Sequence, residues 1–204
     1  MSLKSFALLL VLASSSAFAQ APCPIEGRGG DPELNRLKNR TATSSQYASM
    51  TIAQLASLPM PRGVSRRHRS KWPSSTLAIV SPLEKKAVTV EGRLVGVSLS
   101  GPEACNCKDK DERDFHLWLA PPETDEKADA LVVEVTPRVR AENPAWSLKN
   151  LRRFVESGAR IRISGLLFLD PEHPEQLGKT RRSLWEVHPI LRIEVFTSGI
   201  WRAL

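Results

Sequence analysis

The clearest indication of this chain's architecture is the stretch ISGLLFLDPEHPEQLGKTRRSLWEVHPILRIEVF, residues Ile163–Phe196. Two apolar runs flank a polar segment that is rich in Pro, Glu, His, Lys and Arg. Apolar runs bounded by turn-forming residues are typical of strands, and the polar segment is longer than a hairpin turn requires. The stretch therefore predicts two strands joined by a long ordered loop, and such loops often carry binding sites.

Both predicted strands alternate between two faces, as half-buried strands do. The inward face of the second strand is expected to carry Trp185, Val187, Leu191, Ile193 and Val195. Its outward face is expected to carry Glu186, His188, Arg192 and Glu194. The strand before it has Ile161, Ile163 and Leu167 inward and Arg160 and Arg162 outward. Pro189 cannot donate a ladder hydrogen bond, so an edge position or a β-bulge is expected there.

The sequence before this stretch predicts one helix and three more strands. The helix begins after the N-cap Ser147 and ends at Gly158. The strands are Ala87–Val97, Phe115–Leu119 and Leu131–Thr136. In the middle one, Phe115, Leu117 and Leu119 share one face, and His116 and Trp118 share the other.

The element order is three strands, a helix and two strands, which is the order of an OB-fold. We therefore predict a mainly β (α+β) protein with a five-stranded, OB-fold-like Greek-key barrel over roughly Lys86–Phe196 and one helix between strands three and four. Another small α+β barrel or sandwich is the alternative. The predicted divisions are a signal peptide at 1–19, a basic and partly helical N-terminal extension at 20–72, and the barrel at 73–204.

The extension contains two short predicted helices and a basic segment. The first helix opens at Asp31, which is followed by a proline at the first helical position. The second opens with Thr51 and Gln54 in the pattern of a capping box. Arg62–Trp72 has no apolar periodicity and is expected to be an exposed loop or linker.

Residues Met1–Ala19 have the pattern of a signal peptide. Lys4 precedes the apolar run Phe6–Leu12, and Ala17 and Ala19 provide a small-residue cleavage site. No later segment is long and apolar enough to span a bilayer. The protein is therefore expected to be exported, either to a periplasm or out of the cell.

Three cysteines would then reach an oxidising compartment. Cys105 and Cys107 are poorly spaced to bridge each other in an extended chain. A disulfide from Cys23 to one of them is expected, and we favour Cys107. A metal site that uses these cysteines and a histidine is the alternative.

Positive charge is concentrated near the N-terminus of the chain, which carries +7 overall. Residues 20–72 have nine Lys and Arg against three Asp and Glu, whereas residues 73–204 have 19 of each. A nucleic-acid surface requires a basic face, so the neutral barrel argues against this partner. The basic segment Arg66–Trp72 is either an anion-binding patch or a solvated linker.

Three long segments resemble a family of uncharacterised exported bacterial proteins. They are CPIEGRGGDPELNRLKNR (Cys23–Arg40), VEVTPRVR (Val133–Arg140) and LDPEHPEQLGKTRRSLWEVHPILRIEV (Leu169–Val195). The resemblance implies a shared fold and lends no activity. Similar sequences have a histidine directly after the cysteine that corresponds to Cys107, where this chain has Lys108.

The expected site is a rim of the barrel that serves binding rather than catalysis. Its candidate residues are His116, Trp118, Asp170, His173, Arg181, Glu186 and His188. The expected partner is an anionic polymer, a small ligand or a protein, and no cofactor is predicted. Single-stranded nucleic acid is a further alternative, with Trp118 as a stacking platform beside Lys179, Arg181 and Arg182. In a purely structural interpretation, the N-terminal extension covers Trp118.

The leading enzymatic alternative is a metal-dependent hydrolase. It requires His116, His173 and His188 to meet around a divalent metal ion with carboxylates. A phosphodiesterase of this kind would use Glu134 and Asp170 on the metal and Arg160 and Arg162 on the phosphate; these roles rest on fold analogy alone. The chain contains no HExxH motif.

Overall fold

The computed structural model describes residues 22–66 and 68–204, so the expected signal peptide lies outside the described residues. The helices are α1 (Pro32–Lys38), α2 (Ile52–Ala56), α3 (Ser74–Glu84), α4 (Pro137–Arg140) and α5 (Leu148–Ser157). The strands are β1 (Ala48–Met50), β2 (Ala87–Leu99), β3 (Phe115–Ala120), β4 (Leu131–Val135), β5 (Arg160–Leu169), β6 (Trp185–Thr197) and β7 (Ile200–Ala203). None of the helices in these two ranges has the length and apolar character needed to cross a membrane.

Five strands close into a barrel in the order β2-β3-β4-β6-β5, with β5 pairing back to β2. The β4–β6 pair is parallel, and the other barrel pairs are antiparallel. With α5 between β4 and β5, this is the OB-fold arrangement, and it confirms the predicted architecture. Outside the barrel, β1 adds to β2 in parallel, and β7 adds to β6 in antiparallel orientation.

The barrel interior follows the alternation of apolar side chains. The inward positions that are completely buried include Val88, Val90, Leu117, Leu119, Val133, Ile161, Ile163 and Val187. Helix α5 begins at the predicted cap, where the Ser147 side chain accepts a hydrogen bond from the Asn150 N–H. It buries Leu151 against the core and ends at Gly158, whose φ of 61° suits glycine.

The bulge expected at Pro189 is present, because the ladder between β5 and β6 shifts register on both sides of Gly165. A side chain at Gly165 would collide with the Pro189 carbonyl, so only glycine fits this close approach. The shift moves Ile190 into a fully buried position and leaves Leu191 half-buried. The prediction that Leu191 points into the barrel on the same face as Trp185 is therefore wrong, because Ile190 takes that buried position.

The N-terminal extension is fixed to the barrel by covalent and polar contacts. Cys23 and Cys107 form the predicted disulfide, with their Cα atoms 5.8 Å apart. The Arg40 guanidinium donates hydrogen bonds to the backbone carbonyls of Glu84, Leu167 and His188. The extension therefore packs against the outer surface of the barrel at several points.

The expectation of an exposed linker at Arg62–Trp72 is wrong at its C-terminal end. Arg69 is only 1% exposed, and its guanidinium pairs with the buried carboxylate of Glu84 and with Glu33. Trp72 is 4% exposed and belongs to the core. The segment is held to α3 by the buried Arg69–Glu84 ion pair, which an analysis of apolar periodicity does not detect.

Candidate metal-binding site

Helix α1 of the extension and the turn Ala104–Asn106 lie over part of the outward face that β3, β4 and β6 share. Helix α1 packs on β6 and on the short turn Ala104–Asn106. Glu134, Glu186 and His188 lie on this face and are at most 4% exposed. The sequence correctly placed Glu186 and His188 opposite Trp185 and Val187, and the structure adds that both outward residues are buried.

One end of the covered face is an ion cluster around Arg181. Its Nη1 atom lies 2.7 Å from Asp170 Oδ2 and 2.6 Å from Glu186 Oε1, and all three side chains are buried. His173 Nδ1 lies 2.7 Å from the same Asp170 oxygen. The Trp118 indole N–H, near this cluster, donates to the carbonyl of Thr180. The long loop therefore packs over the barrel as an ordered segment.

His188 stands at the centre of the face and is completely buried. Its Nδ1 atom lies 3.4 Å from Glu134 Oε2 and 3.6 Å from Glu186 Oε2. Its Nε2 atom lies 3.6 Å from Asp114 Oδ2. The other Asp114 oxygen accepts a hydrogen bond from the buried amide of Asn106 at 2.9 Å. His188 thus has carboxylates on both sides of its ring.

The other end of the face approaches solvent at His116. Its Nε2 atom lies 3.1 Å from Glu134 Oε1 and 3.7 Å from Glu103 Oε1. Glu103 also accepts from the Lys38 ammonium at 2.8 Å, and the Cys105 thiol lies 3.6 Å from its Oε2. A cavity of about 250 Å³, lined partly by Lys38, Glu103 and Cys105, opens beside these groups.

Six of these side chains form what we call the ligand ring: Glu103, Cys105, Asp114, His116, Glu134 and His188. The ring contains three overlapping sets whose ligand atoms lie within 4.8 Å of one another. The sets are Glu103–Cys105–Asp114, Glu103–His116–Glu134 and Asp114–Glu134–His188. Each pair of sets shares one carboxylate, which is the donor type that bridges neighbouring metal positions.

Several buried atoms of the ligand ring have no hydrogen-bond partner among the described residues. They are Asp114 Oδ2, Glu134 Oε2 and both ring nitrogens of His188. A buried polar atom without a partner costs roughly 1–3 kcal/mol. Their convergence at one place makes the ring a candidate site for an additional bonded species.

Burial and mutual repulsion set the protonation of the ring. Burial lowers the pKa of His188 to about 4, so its imidazole is neutral near pH 7. Burial, reinforced by Glu103 and Glu134, raises the pKa of Asp114 well above its ordinary value. Burial also opposes a charge on His116, but Glu134 and Glu103 outweigh it and raise the pKa of His116. A neutral imidazole beside concentrated carboxylates is the form of histidine that binds metal ions.

His173 and Asp170 give a pH-dependent pair at the edge of this face. The hydrogen bond to Asp170 raises the pKa of His173, whose side chain is 37% exposed. Because the folded value lies above the unfolded one, the stabilisation is present below the ordinary imidazole pKa and is lost as pH rises through the folded value. We expect His173→Gln to lower the unfolding free energy by less than about 1 kcal/mol below the ordinary imidazole pKa, and this difference should vanish as the pH rises through the folded pKa of His173.

An NMR titration of the histidine side chains checks this expectation. His173 should titrate above the ordinary imidazole value, and Asp170→Asn should bring its pKa back toward that value. A His173 titration at or below the ordinary value in the wild-type protein would contradict the assignment.

The structure brings together some of the predicted site residues and separates others. His116 and His188 meet through Glu134, whereas His173 contacts Asp170 and lies outside the three ligand sets. The three-histidine centre expected for a hydrolase is therefore wrong. Trp118 is partly buried, and the Lys127 ammonium lies 3.7 Å from its ring centre, so the extension is not what covers this ring.

The phosphate-binding roles considered for two arginines find no support in the geometry. Arg160 and Arg162 pair with Glu91 across the β2–β5 ladder, and Arg162 stacks on Trp201. The sequence also missed Glu103 and Asp114 as members of the site, and it included Cys105 only in the alternative of a metal site built from cysteines and a histidine. The only signal for Asp114 was its position two residues before His116, immediately before β3.

Among known proteins, this chain is similar to solved structures at low sequence identity. No protein-family model matches the chain, and no curated protein matches it. The chain is similar to a crystal structure of yeast Stn1 and Ten1, at 14% identity and a TM-score of 0.40, with 81% of this chain and 71% of that one covered. It is also similar to the aspartyl tRNA synthetase of Entamoeba histolytica, at 12% identity and a TM-score of 0.33. This match includes 81% of this chain and 27% of the synthetase chain.

Proposed function

We propose that this protein is an exported metal-binding protein that holds one divalent transition-metal ion, Zn²⁺ in preference, through Asp114, Glu134 and His188. One observation carries the proposal: the completely buried imidazole of His188 has no hydrogen-bond partner at either nitrogen among the described residues. The unpartnered oxygens Asp114 Oδ2 and Glu134 Oε2 face it.

The distances between these atoms suit a zinc ion. Zinc bonds to histidine nitrogen and carboxylate oxygen are about 2.0–2.2 Å long, so tetrahedral ligand atoms lie roughly 3.4 Å apart. His188 is 3.4 Å from Glu134 Oε2 and 3.6 Å from Asp114 Oδ2, each measured from the nearer nitrogen. The two carboxylates lie beside different ring nitrogens, so one of them must shift toward the nitrogen that binds the ion, and the ligand atoms of the three residues lie within 4.8 Å of one another before this shift.

The surroundings of the three residues also favour a bound cation. Asn106 holds the second oxygen of Asp114, which is the outer support that metal-ligating carboxylates receive. A divalent ion would neutralise two carboxylates that otherwise repel each other in a buried site. Each of the three ligands is at most 4% exposed, so a bound ion would be shielded from solvent.

The Cys23–Cys107 disulfide supports the proposed export, because disulfides persist in oxidising compartments and are rare in the cytosol. The signal-peptide pattern of residues 1–19 points to the same location. Detection of the processed chain in a periplasmic fraction or in the culture medium tests this part of the proposal.

Metal analysis of the purified chain 20–204 tests the metal site. We expect one Zn²⁺ per chain after dialysis, removal by a chelator, and a higher melting temperature when Zn²⁺ is restored. At a free zinc concentration of 100 times Kd, binding stabilises the folded state by about 2.7 kcal/mol. Asp114→Asn and His188→Gln keep the side-chain size and should abolish both the bound zinc and the stabilisation.

His68→Ala is the matched control, because His68 is an exposed histidine of the extension that belongs to none of the three ligand sets. It should bind Zn²⁺ like the wild-type protein. A wild-type chain that retains no zinc, or a His188→Gln variant that binds it as well as His68→Ala does, overturns the proposal. Circular dichroism establishes that each variant is folded before its zinc content is compared.

A further inference from the structure

We propose that the thiolate of Cys105 is a further ligand of this ion, which makes the site selective for thiophilic divalent metals over Mg²⁺, Ca²⁺ and Mn²⁺. This inference rests on the proposed function and names the class of metal that the site takes. Carboxylates and one imidazole bind many divalent ions, whereas a thiolate ligand favours thiophilic ions such as Zn²⁺ because soft sulfur binds them more strongly than it binds hard ions.

Cys105 is held rigidly at the wall of the ligand ring. It is 1% exposed and remains a free thiol, because Cys23 and Cys107 pair with each other. It lies in the turn Ala104–Asn106, and its carbonyl accepts a hydrogen bond from the buried Asn39 amide at 2.8 Å. The disulfide follows two residues later, so the turn is anchored on both sides.

The Cys105 sulfur shares a carboxylate with the proposed zinc site. Its Sγ lies within 4.8 Å of ligand atoms from Glu103 and Asp114. Asp114 also belongs to the set with Glu134 and His188, so this carboxylate stands between the thiol and the imidazole. Asp114 is completely buried, and its Oδ2 has no partner among the described atoms. This unpartnered oxygen is an observation independent of the cysteine itself.

The ligation step is simple and needs no oxidant or reductant. The S–H bond of Cys105 breaks, its proton passes to the buffer, and a sulfur lone pair forms the metal–sulfur bond. A zinc–sulfur bond is about 2.3 Å long, so the sulfur must approach Asp114 more closely than the 4.8 Å limit of the ligand set. Lys38 pairs with Glu103 at the solvent side, which leaves Asp114 as the carboxylate that links Cys105 to Glu134 and His188.

Cobalt substitution tests the inference separately from the proposed function. Co²⁺ bound by a thiolate shows sulfur-to-metal charge-transfer absorption in the near ultraviolet, which nitrogen and oxygen ligands alone do not give. Without reductant, we expect this absorption in the wild-type chain and in His68→Ala, and its loss in Cys105→Ser. The disulfide keeps Cys23 and Cys107 from contributing.

Affinity gives the second measurement. Cys105→Ser should weaken Cd²⁺ binding by at least about 10-fold, since even residues that only support metal ligands contribute 10–100-fold. It should leave the weaker Mn²⁺ binding essentially unchanged. Co²⁺ that binds without the charge-transfer absorption overturns the role of Cys105 and leaves the zinc site standing. A wild-type chain that binds no Co²⁺ overturns both; if Cys105→Ser fails to fold, the wild-type spectrum alone decides.

Discussion

Arg181→Met is expected to lower the free energy of unfolding by about 3–5 kcal/mol, the range for breaking a buried ion pair from one side. The methionine fills a similar volume but provides no charge. Glu186 would then remain buried without its arginine, and Asp170 would keep only His173 as an ionic partner, since Arg181 Nη1 contacts both carboxylates within 2.7 Å. Urea denaturation of the wild-type and variant chains, both metal-free, measures the difference.

Arg182→Met is the matched control from the next position of the same loop. The Arg182 side chain is 40% exposed, and its contact to Asp129 is long at 3.9 Å. Its loss should change stability by less than about 1 kcal/mol. Asp170→Asn and Glu186→Gln, added to Arg181→Met, should restore part of the stability because they remove the uncompensated charges. Equal losses for Arg181→Met and Arg182→Met would contradict the buried-pair interpretation.

Removal of the disulfide is expected to have an effect of similar size. Cys23 and Cys107 are separated by 84 positions. In the chain-entropy model, a disulfide that closes a loop of this length raises the free energy of the unfolded state by about 4–5 kcal/mol, because it removes conformational entropy. The free energy of unfolding of the double variant Cys23→Ser, Cys107→Ser should therefore be about 4 kcal/mol lower than that of the oxidised wild-type chain. The released segment 22–45 should also become a preferred site for a protease.

Reductant gives the internal control for this measurement. It should lower the stability of the wild-type chain to that of the double variant and leave the double variant unchanged. A double variant as stable as the oxidised wild-type chain would show that native contacts alone fix the extension.

The barrel could be predicted because its signals are local. Leu117 and Val187 lie in strands that alternate with period two, and Ser147 and Gly158 mark the helix ends by capping chemistry. The disulfide between Cys23 and Cys107 could be favoured from spacing and compartment. These features depend on residues close in sequence or on simple counting.

The burial of the site could not be predicted because it depends on what covers each face. Alternation puts His188 opposite Val187, but it does not reveal that α1 and the turn Ala104–Asn106 lie over it. Arg69 shows the same limit, since a charged segment without periodicity looks solvated until its buried partner Glu84 is known. Glu103 and Asp114 come from the two ends of the long loop between β2 and β3, and Glu134 comes from β4, so no short motif joins them.

The hydrogen bonds of Arg40 also determine when the chain can finish folding. This side chain binds carbonyls of residues as distant as Leu167 and His188, and the Trp185 indole donates to the carbonyl of Pro59. Contacts over such sequence separations form late, because long loops must close first. A chain still emerging from a ribosome therefore lacks the partners of its own N-terminal segment. The extension, although made first, takes its final place only after the last barrel strand has arrived.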